Sequence, residues 1–103
     1  MEYELRANKQ TLIVSVRGGL DHHYADMIRQ RIDGELLSVR FKNLVFDFSG
    51  LTFMDSSGIG FVLGRYRIAE SYGGNVEVVN LSQRLYAIMK LAGLEKLVKL
   101  KIK

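Results

Sequence analysis

Apolar residues along this chain switch between a two-residue and a 3.6-residue period several times, and that alternation admits few folds. Glu2-Tyr3-Glu4-Leu5-Arg6 alternates polar with apolar, and Thr11-Leu12-Ile13-Val14-Ser15-Val16-Arg17 is β-branched and mostly apolar. Asn8-Lys9-Gln10 turns between them, so the chain opens with a hairpin. Gly18-Gly19 ends the second strand, and Asp21 caps a helix in which Ala25, Ile28, Ile32 and Leu36 recur at helical spacing as far as about Leu37. Leu44-Val45-Phe46-Asp47-Phe48 is a third strand, closed by a Ser49-Gly50 turn. After Asp55-Ser56-Ser57-Gly58, the set Ile59, Val62, Leu63, Tyr66 and Ala69 is helical until Gly73-Gly74 breaks it near Tyr72. Val76-Glu77-Val78-Val79 is a fourth strand, and Ser82 caps a third helix carrying Leu85, Ile88 and Met89. Ala92-Gly93 closes that helix before a last strand, Val98 to Lys103, in which apolar residues alternate with Lys.

The predicted order is therefore ββαβαβαβ. Right-handed crossovers place successive helices on the same side of neighbouring parallel strands. The expected class is α/β, one domain over residues 1–103 with a mixed sheet and helices packed mainly on one face. The other face carries Glu2, Glu4, Arg6, Glu77, Lys99 and Lys101, which explains strands that are polar at every second residue.

With 48% hydrophobic and 25% charged residues in 103, the chain has the proportions of a soluble globular protein that buries a core. Cysteine is absent, which removes disulfides, thiolate metal sites and cysteine nucleophiles, and two histidines make no metal centre. No signal pattern opens the sequence and no apolar run approaches the ~18 residues of a membrane helix, so a cytoplasmic protein without membrane insertion is expected. The net charge of +4 is local: Lys96, Lys99, Lys101 and Lys103 supply it, and the remaining basic residues equal the acidic ones. No aromatic or arginine cluster accompanies those lysines. They read as protection of a sheet edge, with no direct nucleic-acid contact expected. The same charge balance and the lack of a legible apolar patch suggest a monomer in the free state.

The most informative stretch is Phe53-Met54-Asp55-Ser56-Ser57-Gly58-Ile59-Gly60-Phe61-Val62-Leu63-Gly64. Three glycines in the first half of a helix each cost about 1 kcal/mol relative to alanine, so something there needs a bare backbone. A structural role would make Asp55 or Ser56 the N-cap and use the glycines for close packing on the sheet. A functional role would use the helix N-terminus, where free N–H groups and the dipole favour negative charge. Enzyme patterns fit poorly. A hydrolase elbow needs glycine two before and two after its serine, and neither Ser56 nor Ser57 has both. Gly58, Gly60 and Gly64 give G-x-G-x-x-x-G rather than a dinucleotide fingerprint, and no phosphate-loop Lys follows, which leaves nucleotide binding open without a motif for it. His22-His23 lie in a first helical turn and point in different directions, so no catalysis is assigned to them. What remains is a serine that another protein modifies. A phosphate at a helix N-terminus is stabilised by about 0.3–1 kcal/mol, whereas at a contact surface it can cost several kcal/mol. Such a switch acts on binding and leaves the fold alone, and it applies equally to Ser56 and Ser57.

Phe53-Met54-Asp55-Ser56-Ser57-Gly58-Ile59-Gly60, Leu63-Gly64-Arg65-Tyr66 and Gly19-Leu20-Asp21-His22-His23 together resemble the STAS-domain anti-sigma factor antagonists, over nearly the whole chain. The Asp-Ser-Ser-Gly motif marks the family, and Asp-His-His with Leu-Gly-Arg-Tyr marks its sporulation branch. The resemblance implies that Ser56 is the phosphorylated residue and that Asp21, Ser57, Gly58, Ile59 and Gly60 form the docking surface. It implies two partners, an anti-sigma factor that is itself an ATP-dependent serine kinase and a serine phosphatase. The unphosphorylated form would bind the anti-sigma factor and free the sigma factor; the phosphorylated form would let go. No cofactor is expected on this chain, since ATP belongs to the kinase. Gly19 stands where many relatives carry Glu. A stress-response antagonist of the same mechanism, a transporter module or a weak nucleotide-binding domain are the other readings.

Overall fold

The computed structural model describes residues 2–103. Its elements are β1 (Glu2–Asn8), β2 (Thr11–Leu20), α1 (His22–Val39), β3 (Asn43–Asp47), β4 (Leu51–Met54), α2 (Ser56–Ser71), β5 (Asn75–Leu81), α3 (Gln83–Leu91), a 3-10 turn (Leu94–Lys96) and β6 (Lys99–Ile102). Five strands lie in the order β1-β2-β3-β5-β6, and β4 pairs with β2. Among the described residues only β1 and β2 pair antiparallel; every other pair is parallel, as strand–helix–strand crossovers require.

The register sorts the side chains into two faces. Leu12, Leu44 and Val76 form one row across β2, β3 and β5, and Val14, Phe46 and Val78 the next, all of them buried. Above these rows lie Ala25, Ile28, Ile32 and Leu36 of α1, Phe61, Val62 and Ala69 of α2, and Leu85 and Met89 of α3. Phe46 sits at the centre, its ring 5.7 Å from that of Phe48 and 5.5 Å from that of Phe61. Each such side chain removed from water contributes about 1.5–3 kcal/mol, which fixes the register, since a one-residue slip would expose a whole row. The opposite face carries Glu4, Ser15 and Asp47 in one row and Val45, Glu77 and Lys99 in another. No helix among the described residues is long and apolar enough to cross a membrane.

Two features depart from the expected order. β2 does not end at Gly18-Gly19 but runs through them to Leu20, and a sixth strand, β4, lies beside that extension. Both follow from one break. Gly18 takes φ +92°, a conformation open to glycine, and its N–H donates to the Gly50 carbonyl at 3.0 Å. The register shifts there, β3 stops at Asp47, and after a short bend β4 takes its place along β2, Gly19 opposite Phe53 and Leu20 opposite Met54.

Asp47 holds the bend. Its carboxylate accepts from the Ser49 N–H and from the Asn80 amide, both at 3.0 Å. Burial opposes its ionisation, but those donors outweigh it and hold the carboxyl below the usual range. A lowered carboxylate pKa stabilises the fold above its unfolded value and loses that contribution as pH falls through the folded one. Asp47→Ala is therefore expected to lose about 1 kcal/mol in urea unfolding at pH 7, and the difference from wild type should shrink steadily from about pH 5 to pH 3.

Candidate functional site

The site is built twice over from the same local chemistry. β2 ends at Leu20 and β4 at Met54, which are register partners on neighbouring parallel strands. Each is followed by an aspartate in extended conformation, φ −97° in both cases, and then by a helix. Asp21 Oδ1 accepts from the Tyr24 N–H at 2.9 Å, and Asp55 Oδ1 accepts from the Ser57 N–H at 2.8 Å. The two caps thus stand one strand apart, about 4.8 Å at the backbone. The starts of α1 and α2 open side by side at the carboxyl edge of the sheet, where ligands and partners of such folds are met.

Because Asp55 is the cap, Ser56 is left out of the capping hydrogen bonds and stands exposed as the first residue of α2. Ser57, one residue on, is half-buried and turns into a groove of about 360 Å3 between α1 and α2, with His22, Asp26, Arg29 and Gly60. Arg29 is held there by Asp26, Nε to Oδ1 2.8 Å, and that hydrogen bond holds the Asp26 carboxyl below its ordinary range. Ser56 instead borders a second groove of about 340 Å3, lined by Met54, Ile59, Ile88, Leu91 and Ala92. Leu91 is 91% exposed, the most exposed large apolar side chain among the described residues.

The three glycines differ in what surrounds them. A Cβ at Gly58 would run into Met54 Cγ and Sδ, so glycine there lets α2 start hard against β4. A Cβ at Gly60 or Gly64 meets nothing within 4 Å. All three are helical residues of α2, so they do not make a glycine-rich phosphate loop ahead of the helix.

The structure thus places Asp21, Ser56, Ser57, Gly58, Ile59 and Gly60 around one pair of helix starts, with Gly58 buried and Gly60 exposed. The α3 wall of the apolar groove was not legible as part of this site. Its one signal was Leu91, an apolar residue off the stripe of Leu85, Ile88 and Met89. Behind the grooves lies a contact that periodicity also missed. Arg65, 7% exposed, reaches Asp33 of α1: Nη2 donates to Oδ2 at 3.3 Å, Nη1 donates to the Phe61 carbonyl at 3.1 Å, and Nε lies 2.6 Å from Oδ1 without hydrogen-bond alignment.

The pattern described as the STAS domain matches residues 2–103. The chain belongs to the STAS-domain family. Among relatives of this STAS domain, the anti-sigma F factor antagonist of Paenibacillus polymyxa is 33% identical over 97 residues, covering 94% of this chain and 83% of that one. The anti-sigma F factor antagonist of Lysinibacillus sphaericus is 33% identical over 95 residues, covering 91% and 81%. Among solved structures, the unphosphorylated anti-sigma factor antagonist SpoIIAA superposes with a TM-score of 0.81 at 27% identity, covering 99% of this chain and 88% of that one. The phosphorylated form of SpoIIAA from Bacillus superposes equally well, TM-score 0.79 at 30% identity over 96% and 90%. The STAS fold is thus common to the two phosphorylation states of that relative.

Proposed function

We propose that this STAS domain is an anti-sigma factor antagonist of the sporulation, sigma-F type, switched by phosphorylation of Ser56. The observation that carries the reading is the division of labour at the start of α2. Asp55 caps the helix, which frees the neighbouring hydroxyl for transfer chemistry, and Ser56 stands exposed beside an apolar groove. Ser57 has its own N–H engaged by the cap and faces the other groove.

In the unphosphorylated state, an anti-sigma factor covers Ile59, Ile88 and Leu91, with Asp21, Ser57, Gly58 and Gly60 beside them, and the sigma factor is released. Apolar burial of this kind contributes about 25 cal/mol per Å2 and needs no charged partner. The anti-sigma factor is also the serine kinase and brings the ATP; this chain supplies the hydroxyl, and a serine phosphatase restores it. The bare Gly60 leaves the approach to Ser56 open.

The test is phosphate mapping. Incubated with the cognate anti-sigma factor kinase and ATP, wild type and Ser57→Ala are expected to gain one phosphate, and Ser56→Ala none, read by intact mass and peptide mass spectrometry. Phosphate on Ser56→Ala at the wild-type rate would exclude the assignment. No phosphate on wild type, with the kinase active on another antagonist, would exclude the mechanism.

A further inference from the structure

The two edges of the sheet are protected unequally. β6, at one edge, is four residues long and carries Lys99 and Lys101 on the helix-free face, a charge pattern that repels a second strand. β1, at the other edge, is seven residues long, contains neither Lys nor Pro, and pairs with β2 alone. Its helix-free face carries both signs of charge, Glu2, Glu4 and Arg6, where β6 carries lysines alone, so an edge of that length can template a strand of complementary charge. We propose that a second copy of this chain pairs there, β1 against β1, in an antiparallel two-fold dimer.

The sequence of β1 selects the register. A dyad perpendicular to the sheet keeps both sets of helices on the same face and pairs residues of like parity. With the dyad at Leu5, Glu4 of each copy stands opposite Arg6 of the other, Tyr3 opposite Ala7, and Glu2 opposite Asn8. Directly opposed side chains lie about 4.5–5.5 Å apart at Cβ, so both charge pairs are attractive. Shifting the dyad to Glu4 or to Arg6 opposes like charges at its centre. Within one copy the same two residues already form an exposed pair, Arg6 Nε to Glu4 Oε1 3.6 Å, so both side chains lie on the face where they would meet a partner.

The flank of α1 that overhangs β1 fits a neighbour. Arg31 marks that flank: its guanidinium lies over the Tyr3 ring, 5.8 Å from the centroid, and reaches the Tyr3 hydroxyl at 3.5 Å. Met27, four residues earlier, is 57% exposed, and Gly34, three residues later, would have nothing within 4 Å of an added Cβ. A mid-helix glycine costs about 1 kcal/mol and none of the chain's own packing calls for it. It leaves room for the second α1.

Antiparallel pairing points the two Ser56 sites to opposite ends of the joined sheet, so each copy can engage its own anti-sigma factor. The interface is small, and self-association is expected at a Kd on the order of 10–100 µM.

Sedimentation velocity from roughly 5 to 500 µM brackets that range. Wild type is expected to pass from monomer to dimer. Glu4→Arg and Arg6→Glu, which each place like charges opposite one another, should weaken dimerisation about tenfold with helical content and Tm unchanged. An equimolar mixture of the two variants should recover the dimer, because each strand then opposes its complement. A wild type that stays monomeric throughout overturns the proposal. So does a dimer to which both variants are indifferent, or one that the mixture fails to restore. Phosphorylation of Ser56 is read separately on the same variants and is expected to be normal, so failure here leaves the switch standing.

Discussion

Phosphorylating Ser56 is expected to weaken the complex with the anti-sigma factor by about a hundredfold or more, close to 2.8 kcal/mol, while the Tm of the free domain shifts by no more than about 5 °C, and upward. The two effects diverge because the same charge meets two environments. Within the domain, the phosphate sits on the first residue of α2, where the helix dipole stabilises it by about 0.3–1 kcal/mol. In the complex, the groove of Met54, Ile59, Ile88, Leu91 and Ala92 beside Ser56 would be covered, and a group carrying about −1.5 to −2 charges would have to shed water at its rim. The Asp55 and Asp21 carboxylates, one strand apart, add negative charge to the same edge. Ser56→Glu, with a single charge and a shorter reach, is expected to lose about tenfold. Isothermal titration of the three forms, beside scanning calorimetry of each alone, separates binding from folding. Equal affinities for the phosphorylated and unphosphorylated forms would mean that Ser56 is not at the contact. A Tm drop of more than about 10 °C would place the effect in the fold instead.

How much of this was legible beforehand depends on what each residue reports. Ala25, Ile28, Ile32 and Leu36 read as one buried stripe and are one, because α1 presents a single face to the sheet. The strand rows read equally well, since one face is covered and the other wet. α2 read less well. Ile59, Leu63 and Tyr66 belong to its apparent stripe and are only half-buried, whereas Phe61 and Arg65 are inside. The reason is that α2 has two covered sides, one on the sheet and one against α1, and the second admits a charge if a partner meets it. No periodicity can anticipate that partner, because Asp33 lies 32 positions away. β4 escaped for a different reason: four residues between turn signals carry too little pattern, and its existence depends on a backbone bend at Gly18. The cap of α1, by contrast, was plain from Asp21, and that of α2 was narrowed to Asp55 or Ser56, of which the structure takes Asp55. Their side-by-side placement was not legible, because it needs the parallel pairing of β2 with that unforeseen β4.

The buried pair between α1 and α2 is where the largest loss of stability is expected. Asp33→Ala should lower stability by about 2–4 kcal/mol, or roughly 10–20 °C in Tm. The guanidinium of Arg65 would keep only the Phe61 carbonyl at 3.1 Å and the Phe61 ring, whose centroid is 5.5 Å away, and would remain almost wholly out of water. The figure lies toward the low end for an uncompensated buried charge because the Asp33 side chain retains 20% of its exposure, so water can reach the vacated position. Arg65→Met should cost less than Asp33→Ala, since it leaves behind a carboxylate that solvent can find. The double variant Asp33→Ala with Arg65→Met should recover much of the loss, because two apolar side chains then replace two desolvated charges. Urea unfolding of the four proteins closes the cycle, and simple additivity of the two single losses would show that the pair is not coupled. The same cycle bears on function. α1 carries Asp21 and α2 carries Ser56, and Asp33–Arg65 is the ion pair that joins the two helices across their facing sides. At a temperature where Asp33→Ala is still folded, its phosphorylation rate should fall while Ser56 remains the modified residue. The double variant should restore the rate with the stability, since what the kinase requires is the placing of two helix starts and not the charge that holds them.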